Sequence, residues 1–502
     1  MRWLTLLCLI TLPGRVCAQD VVTKHAISSF KELHDLLSIP NDSHNRDDIE
    51  KNIQWCEKAF ATRGFTTKRL TTPTLPLLLA ERKAKNQSSA RKPLKTVLIY
   101  LQIDGQPVNA SQWQQETPWT PTLKEQQGDG TWKTIDYQKV FTDPNPDWRV
   151  FARSASDAKG PAMAYIAALD AAAELKIDPN YNMKVIMDFE EELGSPQLPA
   201  AVSKYKEDLS ADMFIIYDGP RHISNQPTLT FGARGICEIT LTVYGPRVPV
   251  HSGNYGNYTP NPAMRLAQLL ASMKDAEGRV VIPGFYDGIT LSEKEKAILK
   301  QVPDDENEIR KFLGIAEPDK IGDNFQESLQ YPTLNIRGLD ALFVGKESRT
   351  LIPATATAEI DIRLVPGNKA DVLVGLIHDH IRKQGYYVID REPTDEERMT
   401  QSKIISFRPT YLYDAFQTPF DSEVGQWLTK AMVKTFQKEP IRIRTAGGSI
   451  PISPFVVTLG IPAVCVPTVN PDNNQHAENE NIRVGNYIDA VKTFVNILGQ
   501  KL

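Results

Sequence analysis

The sequence predicts an α/β protein, a helix-covered sheet interrupted by an inserted ferredoxin-like α+β domain. Three observations lead there. Residues 96–101 are a continuous, β-favouring apolar run, as a strand buried on both faces would be, and 184–187, apolar from Val185, and 213–217 read as further buried strands, with helical patterns among them. Near residue 230 the pattern changes, and residues 236–244 alternate apolar and polar like a half-solvated antiparallel strand. A β-α-β-β-α-β succession follows, the order of a ferredoxin-like domain.

The chain opens with Met1-Arg2-Trp3 and an apolar stretch from Leu4 to Leu12, then Val16-Cys17-Ala18. This pattern predicts a signal peptide over residues 1–18, cut after Ala18, and hence a secreted or periplasmic protein. Residues 28–64 carry apolar residues at helical spacing (Phe30, Leu33, Leu37, then Ile53, Cys56, Phe60). Residues 105–149, rich in Gln, Trp, Pro and Asp, read as an extended loop. Residues 162–175 are Ala-rich and helical, with Lys159-Gly160-Pro161 marking their start. These segments place the first part of the main domain at 19–230.

The insertion is predicted over 231–405. After the strand at 236–244 come a helix at 262–274, a charged irregular stretch at 276–330, strands at 333–336 and 356–364, a helix at 373–383 and a closing strand at 386–389. From 406 to 502 the chain returns to the main domain, with a helix at 425–436 and a short buried strand at 463–466.

The formal net charge of −4 and the lack of any basic, aromatic-interleaved run exclude a general nucleic-acid binder. No stretch reaches the ~18 apolar residues of a membrane span, so no membrane association is expected after signal removal. Beyond the signal, Cys56, Cys237 and Cys465 are odd in number and widely spaced, which is no disulfide framework. They read as buried apolar residues, although an oxidising compartment would permit one disulfide. Asn41, Asn86, Asn109 and Asn257 each open an Asn-x-Ser/Thr sequon.

Chemistry concentrates at predicted strand ends. Glu190-Glu191-Glu192-Leu193-Gly194-Ser195 follows one strand, Asp218 another, and Ser156-Asp157-Ala158-Lys159-Gly160 precedes the Ala-rich helix. His476 lies in an Asn/Asp-rich loop before Asn479-Glu480. A hydrolytic dinuclear site needs a bridging carboxylate, terminal carboxylate and imidazole ligands, and a base beside them. Asp157 would bridge, Glu192 would bind metal, and Glu191 would stay free as general base.

In this order the motifs resemble the co-catalytic zinc metallopeptidases, the family of carnosine-type dipeptidases, aminoacylases and glutamate carboxypeptidase. The similarity spans roughly residues 95–490. It implies a zinc-exopeptidase-like α/β/α catalytic domain with a ferredoxin-like lid, and hydrolysis of peptide-like amide bonds in a dipeptidase or carboxypeptidase manner. It implies one or two Zn²⁺ ions, with Mn²⁺ or Co²⁺ as substitutes, and a homodimer formed through the lid. Val250-His251-Ser252-Gly253 matches the dipeptidase branch, in which this His serves the partner's site. Arg363 matches the family's carboxylate-binding Arg, with Thr350 upstream, and Gly447-Gly448-Ser449 its substrate loop.

One position departs from the family. Where its first metal-binding His belongs, this chain has Leu101-Gln102-Ile103-Asp104, and Asp104, which would orient that His, is retained. The resemblance then implies an intact metal site of Asp157, Glu192 and His476, and a weakened one of Gln102, Asp157 and Asp218. Three readings follow: a small-peptide hydrolase, an N-acyl-amino-acid amidase, or a metal- or ligand-binding protein that has lost turnover.

Overall fold

Residues 96–102 form a strand because Thr96 to Leu101 offers nothing but β-favouring apolar side chains to two covering layers. In this computed structural model, residues 14–85 and 93–502 are described, with only the backbone for 14–18. The first unit comprises the chain up to Leu229 with Phe420–Ile441 and Ile461–Leu502; the second comprises Thr230–Pro419 and Arg442–Gly460.

The first unit is built on a sheet in which Thr96–Gln102 is central. Asn182–Asp188 and Met213–Ile216 flank it in parallel, and Ala463–Cys465 continues the parallel run. Leu77–Arg82 and Thr66–Leu70 add an antiparallel edge, which sequence reasoning did not identify. The Ala-rich helix Lys159–Glu174 is buried almost all round, as an evenly apolar helix must be. It packs against the helix Val484–Leu498, where Tyr217 stacks on Phe494 with ring centres 4.0 Å apart. The predicted helical stretch 28–64 is two helices, Phe30–Leu37 and Arg46–Ala61. Pro40 lies between them, and Asn45 caps the second by accepting from the Asp48 N–H.

Residues 105–149 are not a plain loop. Thr122–Gln126, Trp132–Thr134 and Arg149–Phe151 join Asn481–Arg483 in a separate four-stranded antiparallel sheet. Lys124 lies buried over the Phe151 ring there, which hides the strand's alternation from a polarity reading.

The second unit has a sheet ordered Asn335–Asp340, Thr355–Leu364, Gly232–Tyr244, Ile404–Tyr413, Tyr387–Ile389. Helices Pro262–Ala271 and Ala370–Lys383 supply Leu266, Leu269, Leu373 and Ile377 to its core. This is the ferredoxin-like arrangement with one correction. The fourth strand is Ile404–Tyr413, antiparallel to Gly232–Tyr244, while the expected closing strand at 386–389 is a short edge parallel to it. Consequently residues 406–419, and also 442–460, belong to the second unit rather than to the first. A ten-residue strand with four exposed residues (Arg408, Thr410, Tyr411 and Leu412) gives no clean apolar run to find.

The predicted signal peptide largely lies outside the described residues, as does the Asn86 sequon. The helix Gly14–Ser28 crosses its expected cleavage point. Cys56, Cys237 and Cys465 are buried and free. Asn41 is buried and donates to Ile103 O at 2.7 Å and Ser154 Oγ at 2.9 Å, so its sequon serves the fold. Among the described residues no helix is long and apolar enough to cross a membrane.

Candidate metal centre

Parallel strands end together, so the loops after Gln102, Asp188 and Ile216 open on one edge of the first unit's sheet, where open α/β sheets carry their ligands. The turn Glu190–Ser195 is wrapped around Asp188. That buried carboxylate accepts from Ser195 Oγ at 2.6 Å, Gln197 Nε2 at 3.1 Å, Tyr100 OH at 3.1 Å and the Glu190 N–H at 3.1 Å. Gly194, at φ 81°, closes the turn in a conformation that favours glycine.

Asp104 holds the other side of the same turn. Its oxygens accept from Ser43 Oγ at 2.7 Å and from the Glu191 and Glu192 N–H groups at 3.1 and 3.0 Å. It therefore fixes the backbone of the two glutamates, and no imidazole stands at 102 for it to orient. Burial, then the charge of Asp188, pushes Asp104 up to about 8 despite these hydrogen bonds.

Asp157 is delivered by the loop Arg153–Ala158. Glu480 organises that loop, accepting from the N–H groups of Ser154, Ser156 and Asp157 at 2.8, 2.9 and 2.9 Å and from Ser156 Oγ at 2.8 Å. Arg153 Nη1 pairs with it at 2.8 Å, and both side chains are buried. Gly160 follows because a Cβ there would lie 2.0 Å from Ala155 O. Lys159 is buried and donates to Leu36 O and Ile39 O at 2.9 and 2.7 Å, tying the loop to the end of helix Phe30–Leu37; burial lowers its ammonium to about 7.

His476 projects from a loop in which Asn474, His476 and Asn479 all have positive φ. Left-handed backbone at a non-glycine residue is strained and persists where its surroundings impose it. Asn473 and Asn481 impose it here, through Asn473 Nδ2 to Asn470 O at 2.8 Å, the Gln475 N–H to Asn473 Oδ1 at 2.7 Å, and Asn481 Nδ2 to Asn479 O at 3.1 Å.

These loops bring together Asp157, Glu192 and His476, whose ligand atoms lie within 4.8 Å of one another. His476 Nε2 is 3.0 Å from Asp157 Oδ2 and 3.3 Å from Glu192 Oε2. Gln106 Nε2 donates to Glu192 at 2.8 Å. The hydrogen bond to Asp157, with the charge of Glu192, raises His476 to about 9. Burial and the charge of Asp157 raise Glu192 to about 9 and Asp218 to about 7. Glu191 is pushed well above the usual carboxylate range by burial, then by Asp218, Glu192 and Asp157. So many carboxylates sharing one pocket create a deficit of positive charge that a divalent cation would fill. Two carboxylates and one imidazole suit zinc and its neighbours.

Gln102 is 1% exposed, and neither its amide oxygen nor its nitrogen has a partner. The remaining predicted residues belong to the second unit. Arg363 Nη1 donates to Ser449 Oγ at 2.8 Å, and its Nε lies 3.7 Å from Asp361. Gly447 and Gly448 lie in the strand Ala446–Ser449. His251 is exposed and pairs with Leu351 across a short bridge, its Nδ1 accepting from the Gly253 N–H; Thr350 O accepts from the Ser252 N–H. Sequence reasoning missed Asp188, Gln106 and the anchoring role of Glu480, because a buried carboxylate is recognisable only once the loops around it are placed.

The chain is similar to several known peptidases. Residues 231–387 match the family described as the peptidase dimerisation domain. The chain is 29% identical over 432 residues to the Beta-Ala-His dipeptidase of Mus musculus, covering 84% of this chain and 79% of that protein. It is 27% identical over 410 residues to the Cys-Gly metallodipeptidase dug1 of Schizosaccharomyces pombe, covering 80% and 78%. Among solved structures, an M20 family metallo-carboxypeptidase from Sulfolobus solfataricus superposes with a TM-score of 0.76 at 27% identity, over 94% of this chain and 98% of that one.

Proposed function

This chain belongs to the M20 peptidase family, and on that premise we propose that it is a metal-dependent dipeptidase. The convergence of Asp157, Glu192 and His476, with the half-buried Glu191 next in sequence and beside these carboxylates, carries the proposal. A divalent cation, typically zinc, held by those three side chains would supply Lewis acidity to the scissile carbonyl and make water more acidic.

The chain's own groups do the rest. Glu191 takes a proton from the attacking water and returns it to the leaving amine; its raised proton affinity suits both transfers. Asp104 and Asp188 hold the turn that separates Glu191's task from that of Glu192. Arg363, kept in place by Ser449, binds the substrate's carboxylate, with the Gly447–Gly448 backbone and Thr350 beside it in function. His251 donates to the developing oxyanion and acts in the partner's site of a homodimer formed through the second unit. The match to a dimerisation domain supports that dimer, as does the exposed edge strand Asn335–Asp340 with Ile336 and Leu339 uncovered. Residues 1–18 export the protein, so the mature chain begins at Gln19, which N-terminal mass spectrometry of the secreted product would show.

The experiment is hydrolysis of a dipeptide panel and of N-acyl amino acids by the metal-loaded protein, with Glu191→Gln as control. We expect dipeptide turnover that a chelator abolishes, and a loss of about 10²–10⁴-fold in Glu191→Gln with metal content unchanged. Turnover confined to N-acyl amino acids would make it an amidase. No turnover with any divalent ion would leave a binding protein on a peptidase fold, for which the substitution at Gln102 would be the reason.

A further inference from the structure

Arg234 is a buried cation to which the chemistry above gives no task. It lies in the strand Gly232–Tyr244, is 6% exposed, and among the described residues no carboxylate pairs with it. Its partners are main-chain carbonyls. Nε donates to Leu329 O at 3.0 Å, and Nη2 donates to Ser328 O at 3.2 Å and Tyr331 O at 3.3 Å. A rigid guanidinium fork can span several carbonyls of one turn, where an ammonium is a point charge. Burial, then the charge of Arg363, lowers Arg234 to about 10, so two like charges share one neighbourhood.

The turn that Arg234 grips runs on into Thr333, and Thr333 holds Arg363. The Arg363 N–H donates to Thr333 Oγ1 at 3.1 Å, and the Thr333 N–H donates to Arg363 O at 3.2 Å. Ser449 Oγ accepts from Arg363 Nη1 at 2.8 Å and donates at 3.3 Å to the carbonyl of Gly235, the residue after Arg234. Arg234 and Ser449 are themselves paired where Ala446–Ser449 runs parallel to Gly232–Tyr244. A Cβ at Gly447 would lie 3.5 Å from Leu329 Cδ2, so the gripped turn also backs the glycine loop. Both the backbone and the guanidinium of Arg363 are therefore tied to the strand and turn that Arg234 joins.

We propose that Arg234 is a positioning residue for Arg363: it fixes the turn 328–333 against its strand, so that Thr333 and Ser449 aim the Arg363 guanidinium at the substrate's carboxylate. This rests on the role given to Arg363 above. The charge balance favours the same arrangement. Asp361, 3.7 Å from Arg363 Nε, is one carboxylate for two guanidiniums, and an arriving substrate carboxylate supplies the second. The clamp is thereby specific for a free C-terminal carboxylate, and Arg234 contributes to that specificity without touching the substrate.

The test is steady-state kinetics of the metal-loaded protein on a dipeptide and on the same dipeptide as its C-terminal amide. Arg234→Gln should raise KM for the free acid at least about tenfold, change kcat less than about threefold, and leave KM for the amide as in wild type. Arg234→Lys keeps the charge but loses the fork, and should recover part of the loss. Thr333→Val removes the hydroxyl that holds the Arg363 N–H, and should raise KM for the free acid at least about threefold. It tests the same link should Arg234→Gln fail to fold. Adding Arg234→Gln to Arg363→Lys should raise KM no further, because both act through one contact. The proposal is overturned if Arg234→Gln weakens both substrates equally, as a merely structural role would, or if KM for the free acid stays at the wild-type value in Arg234→Gln or in Thr333→Val. Should Arg363→Lys itself treat acid and amide alike, the role given to Arg363 in the proposed function fails instead.

Discussion

Glu480 is the residue whose removal should cost most outside the metal cluster itself. Its carboxylate is fully buried, pairs with Arg153 Nη1 at 2.8 Å, and accepts from three backbone N–H groups and one hydroxyl between 2.8 and 2.9 Å. Glu480→Ala leaves a buried guanidinium without its counter-charge. Removing one partner of a buried pair costs about 3–5 kcal/mol. The orphaned donors would add to this, but water entering the vacated space offsets part of their loss, so about 4 kcal/mol is the expected total. Glu480→Gln preserves shape and one acceptor, and should lose about half as much, since charge-assisted hydrogen bonds are roughly twice as strong as neutral ones. Urea unfolding of the metal-free protein, extrapolated linearly, measures both. Because the Asp157 N–H is one of the four donors, the glutamine variant should also bind Zn²⁺ about 10–100-fold more weakly, as loss of an outer-shell partner does. A loss below about 1 kcal/mol in Glu480→Ala, with unchanged zinc affinity in Glu480→Gln, would refute the reasoning that this carboxylate holds the Asp157 loop.

The metal-free protein should lose stability as pH rises from about 5 to 9. Asp218 and Glu192 have folded values raised to about 7 and 9, so the unfolded chain gives up these protons first, and His476, raised to about 9, loses its favourable charge over the upper part of that window, above about 6.5. Thermal unfolding with and without saturating Zn²⁺ checks this; the slope should vanish or reverse with metal bound. Mixing Glu191→Gln with His251→Ala, each nearly inactive, should restore about a quarter of wild-type activity, because half of the dimers carry one complete site; no recovery would place His251's action in its own subunit. Arg363→Lys should raise KM for dipeptides about tenfold or more, and a C-terminal amide substrate should erase the difference between variant and wild type.

The parts of this fold that could be read from the chain are those where one residue type dominates a surface. The strands at 96–102, 182–188 and 213–216 are buried on both faces over most of their length, which leaves the apolar runs 97–101, 185–187 and 213–216. Two of the candidate ligands stand at legible places, Asp157 just before the helix Lys159–Glu174 and Glu192 just after the strand Asn182–Asp188, with Gly160 required beside Ala155 O. What escaped notice depends on contacts between distant segments. The strand Thr122–Gln126 finds its partners at Arg149–Phe151 and Trp132–Thr134, and carries a buried lysine that reads as solvent-facing. Ile404–Tyr413 is exposed at four of its ten residues, so its sequence reads as a return to the main domain instead of the fourth strand of the insertion. Asp104 was expected to serve an imidazole; only the folded turn shows that it grips the Glu191 and Glu192 backbone.

The central claim is that Asp157, Glu192 and His476 hold a cation on which hydrolysis depends. The most direct measurement is metal per chain by elemental mass spectrometry, with dipeptide turnover on the same samples, for wild type and His476→Ala. The account predicts at least one tightly held ion in wild type, and its loss together with turnover in the variant. Undiminished turnover by the metal-free wild type, or a His476→Ala protein that keeps both its tight ion and its activity, would contradict it.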